Sequence, residues 1–170
     1  MTPSEPEFDP VPVLTRLPDA AVDFVVIGGV AGGAHGSAYG TEDVDVAYSQ
    51  ATENLEKLAA LLSDLGATLR GAPPDLPFVL DARTLAAGAN FTFDTDLGSV
   101  DILASPAGAP AYDVLRDAAT EITVEGRRVL VASLDHLIAM KEAAGRTKDK
   151  LHASEYRSIS DLLRAPEERG

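Results

Sequence analysis

The segment that most restricts what this chain can become runs from Val22 to Tyr48. Val22–Ile27 (VDFVVI) is an apolar run rich in β-branched residues, stopped by Gly28-Gly29; it reads as a buried strand followed by a tight turn. After a 13-residue spacer, Asp43–Tyr48 alternates. Val44, Val46 and Tyr48 fall on one face, and Asp43, Asp45 and Ala47 on the other, so a second strand with a polar face is expected. Period-2 geometry sets the two carboxylates side by side.

Further elements follow from periodicity. Thr52–Leu65 carries Leu55, Leu58, Leu61, Leu62 and Leu65 at helical spacing and stops at Gly66. Val30–Ala38 and Tyr112–Ala119 read as short helices, and Gly71–Pro77 as a proline-rich loop. Asn90–Asp94 and Ser99–Leu103 flank Asp96-Leu97-Gly98, a hairpin pattern. Glu121–Val124 and Arg127–Val131 flank Glu125-Gly126, a second one. Ser133 suits the N-cap of a helix that Gly145 ends, and a last helix begins near Thr147. Hairpins without strict βα alternation give an α+β fold class, a mixed sheet flanked by helices with a C-terminal helical segment. The expected organisation is a flexible tail over residues 1–18, a core over 19–132 and the helical segment over 133–170.

Composition excludes several chemistries. The 170-residue chain has no cysteine, so disulfides, thiolate zinc sites and cysteine nucleophiles are out, and a reducing cytoplasm is the expected compartment. No run approaches the roughly 20 apolar residues of a membrane span, and the acidic, proline-rich start lacks a leader pattern. The net charge of −13 argues against a broad nucleic-acid surface. Residues 126–164 nevertheless hold eight Lys/Arg against five Asp/Glu, so an anion is drawn to that third. The glycines at 28, 29, 32, 33 and 36 do not spell G-x-G-x-x-G, and no Lys-Ser/Thr completes a P-loop. No G-x-S-x-G elbow occurs, and His35, His136 and His152 lack zinc spacing.

What remains is a glycine pair after one strand and two aspartates on the next. Adjacent carboxylates repel, and a hard divalent cation such as magnesium relieves that repulsion. Glycine lets backbone amides approach phosphate oxygens closely. A third carboxylate would admit a second metal, and two metals about 4 Å apart can clamp a phosphoryl displacement. Other readings stand beside these: a solvated strand face for Asp43 and Asp45, a hairpin-edge charge for Asp101, snorkelling for Lys141 and solvated charge for Arg146 and Lys148. Thr41 reads as a turn cap, His35 as a packed or capping residue, and His136 and His152 as surface residues.

Ile27-Gly28-Gly29, the spacer and Asp43-Val44-Asp45-Val46 together resemble the signature of polymerase-β-like nucleotidyltransferases. Gly98-Ser99-Val100-Asp101-Ile102-Leu103 is similar to the strand that bears that family's third aspartate, matching Asp101. Ser133–Asp149 (SLDHLIAMKEAAGRTKD) resembles the abortive-infection branch, toxin halves of type IV toxin–antitoxin pairs. That branch has a lysine and an arginine facing the triphosphate, and Lys141 and Arg146 match them. The resemblance spans about Val22–Leu163. Tyr39-Gly40 stands where family members often carry an arginine.

The resemblance implies a nucleotidyltransferase passing a nucleotide from an NTP such as ATP to a hydroxyl and releasing pyrophosphate. Asp43, Asp45 and Asp101 would be catalytic and would hold Mg2+, two ions in the family pattern. Gly28, Gly29, Lys141 and Arg146 would bind the nucleotide. It also implies transfer RNA as an acceptor and a cognate antitoxin as a partner. A small-molecule nucleotidyltransferase of the antibiotic-modifying type, and a non-catalytic nucleotide- or metal-binding module, are the alternatives.

Overall fold

In the computed structural model, residues 7–88 and 90–168 are described, with side chains to residue 164. The apolar run forms β1 (Phe24–Ile27), central in the sheet and buried along its whole length because both faces of the sheet are covered there. On one side it pairs antiparallel with β2 (Asp43–Tyr48), and on the other parallel with the later strand β7 (Arg127–Val131). Two hairpins complete a mixed sheet of seven strands. One joins β4 (Asn90–Thr95) to β5 (Gly98–Leu103); the other joins β6 (Thr120–Val124) to β7. With the two-residue edge strand β3 (Thr68–Leu69), the order is β3-β4-β5-β2-β1-β7-β6. The α+β class with a mixed sheet flanked by helices is therefore what forms.

The alternation in β2 sorts its two faces. Val44, Val46 and Tyr48 enter the core, where the Tyr48 side chain reaches α4 (Ala82–Ala87). On that side α4 packs with α3 (Thr52–Asp64), and α3 with α1 (Val11–Asp19). The opposite face carries Asp43 and Asp45 and is covered by α2 (Gly28–Ala34), α6 (Leu134–Ala144) and α7 (Thr147–Glu168), which pack together. The Ser133 hydroxyl caps α6 by accepting from the His136 amide at 3.2 Å, and Gly145 ends that helix, both as the sequence indicated. A helix α5 (Tyr112–Asp117) precedes β6.

The N-terminal expectation needs correction. Residues 1–6 of the expected tail lie outside the described residues, but Val11–Asp19 form a helix, not a tail. Its Val13, Leu14 and Leu17 are buried in the core, and Arg127 of β7 grips Asp19 at its end at 2.9 Å. Pro12 sits in the first turn, where an amide would be unpaired anyway, while Pro18, one residue before the end, forgoes one hydrogen bond and the helix stops just after it. No helix of the described residues is long and apolar enough to cross a membrane.

Candidate active site

Strand pairing assembles the acidic cluster. β2 and β5 run parallel with Asp45 opposite Asp101, and Asp43 lies two residues before Asp45 on the same face. Three carboxylates from two neighbouring strands thus converge, with one oxygen of each within 4.8 Å of the others. The expectation that Asp43, Asp45 and Asp101 meet in space is what the coordinates show, and neither a solvated strand face nor a lone edge charge describes them.

Their electrostatics follow from crowding. Asp45 is held up at about 7, first by burial, then by the Asp101 charge and a hydrogen bond with that carboxyl, then by Asp43. Its Oδ1 is shielded from solvent and has no hydrogen-bond partner, and a buried acceptor left so is costly. Asp43 is also raised, first by burial and next by Asp101.

Around the triad the backbone is fitted closely. Gly28 follows β1 directly, and its φ of +68° is left-handed, the conformation glycine tolerates. A Cβ there would overlap the Asp45 carboxylate, so glycine at 28 is required by space as well as by torsion. Thr41 closes the turn before β2: its hydroxyl accepts from the Asp43 amide at 3.3 Å and donates to the Asp43 carbonyl at 3.1 Å, the cap role expected of it.

Facing the triad are basic side chains of α6, of α7 and of the junction between them. Lys141, Arg146, Lys148 and His152 line the same cleft as Gly29, Asp43, Asp45 and Asp101; it encloses about 800 Å3. Lys141 and Arg146 are held by one carboxylate. Asp149 is fully buried, and its oxygens lie 3.4 Å from Lys141 Nζ and 2.7 Å from Arg146 Nε. Asp149 also accepts from the Arg146 backbone amide at 3.2 Å, the third residue of α7 reaching back to its N-cap.

No protein-family model matches the sequence, and no curated protein matches it. Solved structures do match in shape. One is the lincosamide antibiotic adenylyltransferase LnuA with lincomycin bound: TM-score 0.59 at 14% identity, over 86% of this chain and 93% of that one. A Thermotoga maritima protein described as a nucleotidyltransferase gives 0.53 at 14% identity, over 86% and 89%. An antigenic nucleotidyltransferase-like protein from Paracoccidioides brasiliensis gives 0.52 at 18% identity, over 89% and 73%. The chain has a nucleotidyltransferase fold.

Within that nucleotidyltransferase fold, two placements depart from or add to the sequence reading, and a third agrees with it. Arg70, just after β3, was not singled out. Its guanidinium donates to Asp101 Oδ1 at 2.9 Å, the Phe93 carbonyl at 2.9 Å and Asp94 Oδ1 at 3.1 Å. His152 is not simply a surface residue: it is half-buried in the cleft wall with its ring 4.2 Å from that of Tyr39. His35 is bonded through Nε2 to the Ala132 carbonyl at 2.8 Å, consistent with a packed role.

Two outcomes are expected from these contacts. Arg70 lowers the Asp43 pKa, so Arg70→Gln should raise the Asp43 titration midpoint, read by carboxyl NMR in chelator; an unmoved midpoint would show that the guanidinium is screened out. Asp149 is held below the usual aspartate range, chiefly by the Arg146 hydrogen bond. Its contribution is complete above the unfolded value and is lost as pH falls through the lowered one. Asp149→Ala removes charge-assisted hydrogen bonds worth about 2–3 kcal/mol near neutral pH. Urea denaturation at pH 7 and pH 3 should show the full loss at the first and a reduced one at the second.

Proposed function

We propose that this protein is a nucleotidyltransferase that moves a nucleotide from an NTP to a hydroxyl acceptor. The observation that carries the proposal is the convergence of Asp43, Asp45 and Asp101 beside the Gly28 turn, across one cleft from Lys141 and Arg146. Magnesium suits the donor set: three carboxylates, one with an orphaned buried oxygen, form a site for a hard cation. Asp43, Asp45 and Asp101 would hold it, with two ions in the reading taken here. When bound, magnesium would neutralise carboxylate and phosphate oxygens and polarise the reacting phosphoryl group.

The chain's own residues supply the rest. Gly28 and Gly29 offer backbone amides to the β- and γ-phosphates, unobstructed by side chains. Lys141 and Arg146, fixed by Asp149, neutralise triphosphate charge from the opposite wall. Asp101 accepts the proton of the acceptor hydroxyl. The hydroxyl oxygen bonds to the α-phosphorus, the bond from that phosphorus to the β-bridging oxygen breaks, and pyrophosphate leaves with the electron pair. Such catalysis is mostly positioning and charge stabilisation.

A small hydroxylated molecule is the acceptor the surroundings favour. Glu7 and Glu42 lie at the cleft with Lys141, Arg146 and Lys148; those cations suit one triphosphate, whereas a chain of net charge −13 disfavours the long phosphate backbone of an RNA. The adenylyltransferase LnuA, of similar fold, acts on an antibiotic of that size class. The toxin-like reading, with transfer RNA as acceptor and an antitoxin partner, draws on the Ser133–Asp149 segment. Incubation with labelled NTPs, magnesium, total RNA and a panel of hydroxylated small molecules separates the readings. Label on a small molecule supports the first, and label on RNA the second. Tight NTP binding with no pyrophosphate released would leave only a binding module.

A further inference from the structure

A second, smaller cavity continues from the main cleft on the other side of Asp45. It encloses about 180 Å3 and shares Asp45, Lys141 and Arg146 with the cleft. Asp149, which holds Lys141 and Arg146, lines it beside them, and the rest of its wall is largely apolar: Leu103, Pro106, Leu137 and Met140, with Asn90 at one side. Sheet geometry explains the change of character. Leu103 lies two residues beyond Asp101 on β5 and so projects from the same face, while Asn90 of β4 pairs directly with Leu103. The face that is acidic at Asp43, Asp45 and Asp101 becomes aliphatic one step further along, and α6 roofs it with Leu137 and Met140.

The slot is built firmly. The loop after β5 is pressed against α6 at Gly108, where a Cβ would stand 2.5 Å from the Ala139 carbonyl oxygen and 2.7 Å from the Ala143 Cβ. Close backbone approach thus sets the spacing of the two walls. Pockets that take whole drug-sized ligands run to about 300–1,000 Å3. A slot of about 180 Å3 takes only part of a ligand whose remainder lies in the cleft of about 800 Å3. That ligand is anionic where Lys141 and Arg146 stand and largely apolar where Leu103 and Met140 stand.

We propose that this slot between β5 and α6 is the nucleobase subsite for the nucleoside triphosphate, which rests on the nucleotidyltransferase reading above. Leu103 and Met140 supply aliphatic and thioether surface to the ring, a contact sulfur makes well. The Asn90 amide offers a donor and an acceptor to its edge. Lys141, common to both cavities, marks where phosphate gives way to nucleoside.

Calorimetry with magnesium, comparing ATP with inorganic tripolyphosphate, tests this on the full chain. The wild type should bind ATP about tenfold or more tightly than tripolyphosphate, as one buried base contributes. Met140→Trp fills the slot; it should bring ATP down to the affinity of tripolyphosphate and leave tripolyphosphate unchanged. If circular dichroism shows that variant unfolded, Ala144→Leu, from the same wall, takes its place. A folded variant that keeps the wild-type preference for ATP, or loses both ligands equally, overturns the slot assignment. A wild type that binds neither ligand removes the underlying nucleotidyltransferase reading, and the slot with it.

Discussion

Asp43→Asn combined with Asp45→Asn should abolish nucleotide transfer and, above pH 7, raise the melting temperature. The loss of activity follows from removing two of the three carboxylates that converge in the cleft; one electrostatic group in such a site is worth about 10²–10³ in rate, so transfer should fall below detection. The gain in stability follows from Asp45, whose pKa is raised to about 7 from an ordinary 3.8. Between those values the folded protein holds a proton that the unfolded chain releases, so stability falls as pH rises through that window. The penalty is complete above pH 7 and absent below about pH 4. Its ceiling is about 4 kcal/mol at 1.36 kcal/mol per unit, reduced because the proton is shared among neighbouring carboxylates. A rise of several degrees is expected. Thermal melts at pH 8 and pH 4 in chelator check it: the difference between variant and wild type should be present at the first and gone at the second. Magnesium should stabilise the wild type at pH 8 and leave the variant unmoved. A double variant that keeps activity, or melts lower than wild type at pH 8, contradicts the site.

Gly28→Ala should damage both folding and transfer, although it adds one methyl group. At φ +68° an alanine is strained by roughly 1–2 kcal/mol. The new Cβ would also press on Asp45, 2.9 Å from its Cγ and 3.0 Å from its Cβ, and overpacking of this kind costs about 1–3 kcal/mol. The total of about 2–5 kcal/mol corresponds to a drop of about 5–15 °C in a domain of this size. Surviving protein should transfer at least about 10²-fold more slowly, since a displacement near 1 Å at a reacting centre has that effect. Gly33→Ala is the control. It lies in the same helix with no atom within 4 Å of an added Cβ, and helix propensity favours alanine by up to about 1 kcal/mol. It should leave activity intact and melt no lower than wild type. Equal tolerance of the two substitutions would mean that the turn has no tight fit to Asp45.

Much of this arrangement could be read from local pattern. β1, β2 and β5 are short runs whose periodicity is unambiguous, and the period of two sets Asp43 and Asp45 side by side; Asp101 stands out only through the resemblance of its strand to the one that bears the family's third aspartate. Ser133 and Gly145 carry their own cap chemistry. α1 was obscured because Pro10, Pro12 and Pro18 give it the composition of a linker, while its Val13, Leu14 and Leu17 become a stripe only against the core. α4 is too short for periodicity to show, although Asp81 caps it by accepting from the Thr84 amide at 2.8 Å. Arg70 was invisible for another reason. Its partners Phe93, Asp94 and Asp101 reach it only through pairing of the two-residue β3 with β4, a long-range contact with no local signature. Asp149 ends the segment that carries Lys141 and Arg146, but its burial, which makes it the anchor of both, is a property of the packed helices α6 and α7.

The parallel pairing of β2 with β5 has a consequence for how the protein matures. Parallel neighbours cannot be joined by a tight turn, so the chain must lay down α3, β3, α4 and β4 before Asp101 can settle beside Asp45. The opposing cations arrive later still, with α6 and α7. In a chain emerging from the ribosome, the strand that carries Asp43 and Asp45 is therefore made well before β5, α6 and α7, which complete the cluster and its opposing wall. Setting Asp101 beside Asp45 closes that long loop, and both the entropy of the loop and the repulsion among the three carboxylates oppose it.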